Sequence, residues 1–436
     1  MEKARKITTP IIIPRSEHTV SRTSISENAL KVLYRLKDAG YEAYLVGGGV
    51  RDMLLGREPK DFDVSTDATP EQVKDVFKNC RLIGRRFRLA HVFFHREIIE
   101  VSTFRGHHDD TEAEIETESD EGRILRDNVY GTLEEDVWRR DFTINALYYN
   151  IRDFSIVDYT GGIEDLKIGA LRIIGDPEKR FREDPVRMLR AVRFAAKLGL
   201  RIEKKTEDKI FELAHLLADI SSSRLFEEVL KMFHAGFAHE TFEELRHYGL
   251  FAQLFPQTEK SLESESEHFP LMLLVNALES TDKRIAEGKP VTPAFLIAAL
   301  LWDPMLQRIK DYSLDDMSEI QRIQEAASDV FRLQRERTSL PKRFALTARD
   351  IWTMQPRLAK RFGKRASRLL THPRFRAAYD FMLLRAEAGE DVKELADWWT
   401  RFQEVSEGER EKMVRELTPA GKKKKRRKPQ PQNNEQ

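Results

Sequence analysis

The chain has 436 residues, with 74 Lys and Arg against 73 Asp and Glu for a formal net charge of +1, and that length argues for two or three domains rather than one core. A single cysteine, Cys80, excludes an internal disulfide framework and a thiolate metal cluster, and no apolar run reaches the length of a membrane span, so a soluble, cytoplasmic protein is expected. The near-neutral balance hides an asymmetry: Lys422, Lys423, Lys424, Lys425, Arg426, Arg427 and Lys428 form one basic block, and without those seven the body holds 67 basic against 73 acidic residues, about −6. Such a block is either an arm for a polyanion or a solubilising terminus.

Residues 1–24 are dominated by Pro, Ser, Thr and Arg without periodicity, and read as an extended, partly disordered arm. The stretch ISENALKVLYRLKDAG predicts a helix capped by Ser26, with Ala29, Leu30, Leu33 and Leu36 on one face and Gly40 as its stop. YEAYLVGG follows as a buried strand. LAHVFF and EIIEVSTF are further strands among turns and short helices, the pattern of a mixed α/β domain. An acidic insertion after Gly106, nearly free of apolar residues, reads as a mobile loop. From Asp184 helical patterns take over: Asp184 serves as cap, Pro185 as first helical residue and Gly199 as stop. The rest reads as all-helical, and RFGKRASRLLTHPRFRAAYDFMLLRAE mixes Arg, Lys and aromatics as either a solvated face or an RNA-contacting one.

Two short segments carry chemistry. LVGGGVRDMLLG resembles a nucleotide turn, but position 52, where a dinucleotide fingerprint needs its third glycine, is Asp52. Gly47 and Gly48 still permit close approach to a phosphate, with a helix beginning near Val50 and Arg51 as a charged partner; a tight turn before a helix is the plain alternative. In KDFDVST, Asp61 and Asp63 alternate with Phe62 and Val64, so on a strand both carboxylates leave one face while the phenylalanine enters the core. Like charges held that close call for a cation, and hard oxygen ligands suit two Mg²⁺ ions, with Mn²⁺ as a substitute. A third carboxylate is expected, either Glu100 or Asp141.

With these residues on the page, LVGGGVRDMLLG, KDFDV, RRDFTINALYY and FREDPVRMLRAVRFAAKLG resemble the nucleotidyltransferase superfamily of polymerase-beta type. Within it they are similar to the bacterial branch that holds poly(A) polymerases and CCA-adding tRNA nucleotidyltransferases. The resemblance is specific over about residues 25–200 and weaker beyond. It implies an α+β protein with a mixed α/β nucleotidyltransferase head (25–175), a helical neck (176–240), a helical body with an RNA-binding region (241–410) and a basic tail (411–436). It places Arg140, Asp141 and Asn145 around the ribose and triphosphate. Glu183, Asp184 and Arg187 match the element whose Asp and Arg read the base, with Arg190 one turn on. LIGRRFRLAHVFF resembles the poly(A) branch, its Arg85, Arg86 and Arg88 reaching the RNA 3′ end or the triphosphate. The implied activity is template-independent addition of AMP from ATP to RNA 3′ ends, marking RNA for decay, with RNA-decay proteins as further partners. A CCA-adding enzyme and a non-catalytic RNA-binding protein are the rival readings.

Overall fold

The computed structural model describes residues 9–84, 88–106, 129–263, 270–313 and 315–417. It forms two compact units: residues up to Ile220 with a return at His247–Leu250, and Ser221–Arg246 with Phe251 onward. Residues 176–220 thus pack with the sheet-bearing unit.

The first unit is built on eight strands: β1 (Ile11–Ile13), β2 (Ala43–Val46), β3 (Asp63–Thr66), β4 (Cys80–Ile83), β5 (Leu89–Phe94), β6 (Glu97–Thr103), β7 (Leu147–Asn150) and β8 (Ile156–Asp158). They form one mixed sheet in the order β1-β8-β7-β2-β3-β6-β5-β4. Its helices are α1 (Glu27–Asp38), α2 (Gly48–Leu54), α3 (Pro70–Val76), α4 (Leu133–Arg139), α5 (Gly162–Ile168), α6 (Pro177–Glu183), α7 (Val186–Leu198) and α8 (Lys204–Leu213).

Helix α1 follows its sequence signals. Ser26 Oγ accepts from the Ala29 N–H at 3.1 Å, Ala29, Val32, Leu33 and Leu36 are buried, and Leu30 packs at the margin of that core. The N-terminal arm departs from expectation: Ile11–Ile13 extends the sheet as β1, antiparallel to β8. Three residues between Pro10 and Pro14 are too few to show alternation, and the prolines suit an edge strand. Helix α2 starts at Gly48, two residues before the expected point. Strand β3 starts at Asp63, so Asp61 lies on its approach; the alternation survives in burial, with Phe62 and Val64 in the core and Asp61 and Asp63 exposed.

One buried carboxylate organises the corner that carries the central motif. Asp158 accepts from the N–H groups of Thr160, Gly161, Gly162 and Ile163 at 2.8–3.1 Å, capping α5. From α5, Asp165 accepts from the Thr143 hydroxyl at 2.7 Å and pairs with Arg172. That fixes the turn Thr143–Asn145 ahead of β7. In the second unit the described residues are helices and their connections. Buried Trp352 and Trp399 donate to the carbonyls of Ala298 and Leu358, both at 3.1 Å.

Asp158→Ala strands several N–H donors at the start of α5, so it should cost about 2 kcal/mol. Chemical denaturation checks this, with an unchanged midpoint as the contrary result.

Candidate active site

The turn between β2 and α2 needs glycine at one point. Gly47 has φ +68° and ψ −131°, a conformation that a side chain would strain. A Cβ there would meet Arg140 Nη1 at 3.6 Å, an ordinary contact, so the demand for glycine is conformational, and Arg140 lies beside the turn. Arg51 lies beneath, buried, with Nη1 donating to Asn145 Oδ1 at 2.6 Å and Nε and Nη2 donating to Asp52 Oδ1. Arg51 and Asp52 are thus engaged with the protein and hold α2 to the Thr143–Asn145 turn.

The carboxylates follow from strand register. β3 and β6 are parallel, and Asp63 is paired with Glu100, so the two leave the same face side by side. Asp63 is open by surface area, yet the protein massed around it leaves its carboxyl short of water. That desolvation first, then the charge of Glu100, pushes it up to about 6, with Arg140 opposing and Asp61 adding to the rise. His91, opposite Glu100 on β5, brings Nε2 to 3.5 Å from its Oε1. Two residues along the same face, Ser65 and Ser102 lie 3.2 Å apart and Ser65 donates weakly to Asp136.

The RRDFTIN segment divides its charges. Arg140 Nε donates to Tyr148 Oη at 2.6 Å, its Nη2 to Asp136 at 3.1 Å, and Tyr148 donates to Asp136 at 2.6 Å. Burial works against the Arg140 charge, but Tyr148 and Asp136 outweigh it and raise its pKa; burial also drives Tyr148 well up. Asp141 faces the other way. It accepts from Arg190, from Asn145 Nδ2 at 3.2 Å and from the Phe142 N–H at 2.8 Å. Burial alone would raise its pKa, and Arg190 with these hydrogen bonds brings it below the usual range.

The DPEKRFREDPVR segment forms a second bracket. Arg180 donates to the carbonyls of Arg139 and Arg140 at 2.9 and 2.6 Å, and to Glu183 at 2.7 Å. Arg187 donates to the same Glu183 at 2.9 Å and to the Arg180 carbonyl at 2.7 Å. Asp184 sits between α6 and α7, its Oδ1 accepting from the Val186 N–H at 3.2 Å, and Gly199 at φ +67° ends α7 as expected.

These pieces enclose a cleft of about 840 Å³ in the first unit. Asp63, Glu100, Arg140 and Arg187 line it, with Arg139, Lys179, Arg180 and Trp138. Asp61, just ahead of β3, is not among the lining residues. Asp184, Asp141, Asn145, Arg190, Arg51 and Asp52 are not among its lining residues either. Arg88 is drawn elsewhere, pairing with Glu71 on α3 at 2.6 Å. Arg85, Arg86, the acidic insertion at 107–128 and the basic block at 422–428 lie outside the described residues.

Known proteins match this chain along most of its length. Its family models are the poly A polymerase head domain over residues 43–172, the probable RNA and SrmB-binding site of polymerase A over 199–262, and the polymerase A arginine-rich C-terminus over 315–432. Poly(A) polymerase I of Salmonella typhimurium is 51% identical over 93% of this chain and 88% of its own length. The chain belongs to the poly(A) polymerase family. It is an enzyme of the polynucleotide adenylyltransferase class, which sets aside the non-catalytic reading. The CCA-adding enzyme of Lactobacillus helveticus is 39% identical over 58% of this chain and 64% of its own length. A solved structure titled Thermotoga maritima CCA-adding enzyme complexed with tRNA_CCA shares the fold, with a TM-score of 0.60 at 21% identity over 94% of this chain and 92% of that one. The mixed-sheet head and helical remainder expected from sequence are the architecture found. Among the described residues no helix is long and apolar enough to cross a membrane.

Sequence reading of this polymerase passed over Arg180, Asp136 and Tyr148. Two of them left a signal: Asp136 precedes Arg140 by four residues, and Arg180 and Arg187 flank Glu183 at helical spacings of three and four. Tyr148 looked like any core aromatic on a strand.

Because the Asp63 carboxyl titrates higher in the folded chain than in the unfolded one, its contribution to stability is full at low pH and is lost as pH rises through about 6. In metal-free buffer Asp63→Asn should therefore melt above the parent at pH 7.5 and converge with it near pH 4. Equal melting temperatures at pH 7.5 would contradict the crowding of this carboxyl.

Proposed function

We propose that this polymerase transfers AMP from ATP to the 3′-hydroxyl of RNA without a template, and that the cleft is where it does so. The observation that carries the proposal is the pairing of Asp63 with Glu100 on adjacent parallel strands inside an arginine-lined cleft. A volume of about 840 Å³ suits a nucleotide-sized ligand. In the reaction the hydroxyl oxygen attacks the α-phosphorus in line, the bond to the β-phosphate bridging oxygen breaks, and pyrophosphate leaves with the RNA one AMP longer.

The donor set fits a hard divalent cation. Asp63, short of water, is repelled by Glu100 beside it, and Asp61 adds charge from the strand approach. Among the described residues no group of three or more His, Cys, Asp or Glu closes around one point; Mg²⁺ needs only one or two carboxylates at each ion and completes its shell with water and substrate phosphates. When bound there, Mg²⁺, as one ion or two, or Mn²⁺ in its place, supplies charge neutralisation at the α-phosphate and acidifies the attacking hydroxyl. Glu100 is the better third carboxylate, since Asp141 is already neutralised by Arg190.

The remaining roles belong to the chain's own side chains. Arg140, charged and lying beside Gly47, would hold the triphosphate at the Gly47–Gly48 turn. Arg187, oriented by Glu183, faces the cleft and would donate to the base, with Asp184 accepting from its exocyclic amine. Asp141, Asn145, Arg190, Arg51 and Asp52 act as positioning residues behind this front. The length and identity of the poly(A) polymerase match support poly(A) over CCA synthesis. Tagging RNA for decay in a bacterial cytoplasm, alongside RNA-decay proteins, is the corresponding biological role.

Purified protein, Mg²⁺ and a labelled unstructured RNA, given each NTP separately, should yield a long ladder with ATP alone. Inertness here with C, C and A added to a truncated tRNA would place the chain with the CCA-adding enzymes.

A further inference from the structure

Between Arg357 and Tyr379 the chain has eight Lys or Arg and no Asp or Glu. In the second unit this segment turns from the helix Lys342–Ala359 into the helix Arg365–Leu370. The turn is anchored from inside. Arg361 stacks on Trp398 at 5.2 Å and pairs with Glu394 at 2.8 Å, Trp399 Nε1 holds the Leu358 carbonyl at 3.1 Å, and Ala366 is fully buried.

Its outer side is different. Lys360, Lys364, Arg365 and Arg368 are all exposed, and among the described residues none has an ion-pair partner. Phe362 stands among them, 43% exposed, with the Arg365 guanidinium over its ring at 4.7 Å. A large aromatic left in water beside unpaired cations, on a corner held rigid from below, is costly for a surface with no ligand. The same combination is what a single strand of nucleic acid recognises: cations track the phosphates and a ring face accepts a base.

We infer that this corner, Lys360 to Arg368, is a docking surface for single-stranded RNA, with Phe362 as a stacking platform. The matched RNA-binding segment is residues 199–262; this corner lies outside it, within the arginine-rich C-terminal match at 315–432, and gives the wider 241–410 region a defined contact surface. An aromatic platform separates this inference from a general attraction to polyanions, because duplex RNA keeps its bases stacked and offers the ring nothing. The choice of RNA as the polyanion rests on the function proposed above.

The test uses the full chain and binding by fluorescence anisotropy across a salt series, with an unstructured RNA and an RNA duplex as probes. Replacing Lys360, Lys364, Arg365 and Arg368 together with Gln should flatten the salt slope for the single strand by roughly 2 to 3, at about 0.7 per phosphate contact. Phe362→Ala should weaken single-strand binding about tenfold and leave duplex binding unchanged, with circular dichroism confirming the fold. AMP addition to a very short primer should be unaffected by either change. An unaltered slope in the fourfold variant, or an equal Phe362→Ala loss on both probes, overturns the inference. Because binding needs no turnover, a protein that binds but never extends RNA refutes the proposed activity while leaving this surface in place.

Discussion

Two carboxylates that repel each other are held in register by a parallel strand pair, and much of the head is arranged around that conflict. Asp63 and Glu100 cannot move apart without breaking the β3–β6 ladder, and desolvation together with mutual repulsion drives Asp63 up to about 6. A fold that keeps such a pair stores an attraction for a cation. The cleft beside it is lined by Arg140, Arg180 and Arg187, each already tied to an acidic neighbour. They present fixed donors without collapsing onto Asp63 and Glu100.

The supporting network runs as a chain of charge-assisted hydrogen bonds. Arg190 holds Asp141, Asp141 holds Asn145, Asn145 holds Arg51, and Arg51 holds Asp52 on α2. Phe194 gathers three of the cations, with Arg51, Arg190 and Arg193 each 5.0–5.3 Å from its ring. Helix α7 is thereby fastened to the glycine turn, and Arg57 reinforces it by donating to the Lys197 and Leu198 carbonyls at the helix end. Arg180 makes the second connection, from α6 to the backbone of Arg139 and Arg140. The element expected to read the base and the element expected to hold the triphosphate are therefore parts of one rigid body, which is what alignment of an incoming nucleotide requires.

Much of this was legible in the sequence where the signal was local. Helix α1 showed its cap, its apolar face and its stop, and the D-x-D motif showed its alternation within four residues. Partnerships across the chain were not legible. Glu100 and Asp141 looked equivalent as third carboxylates, because the β3–β6 register and the Arg190 partner of Asp141 join residues about forty to fifty positions apart. Arg51 looked like a phosphate ligand beside glycines, and only the fold reveals Asn145 behind it. Arg88 belonged by position to a basic trio, whereas Glu71 claims it. The edge strand at Ile11–Ile13 carried no periodicity in three residues, and its existence depends on β8.

Asp63 and Glu100 are proposed to act together as a cation site, and Mg²⁺ titration followed by thermal melting tests that most directly. Mg²⁺ should raise the melting temperature of the parent protein, and Glu100→Gln should abolish most of that rise, whereas Asp141→Asn should keep it from whatever lower baseline the loss of its Arg190 pairing sets. A Glu100→Gln variant stabilised by Mg²⁺ as strongly as the parent would contradict the account.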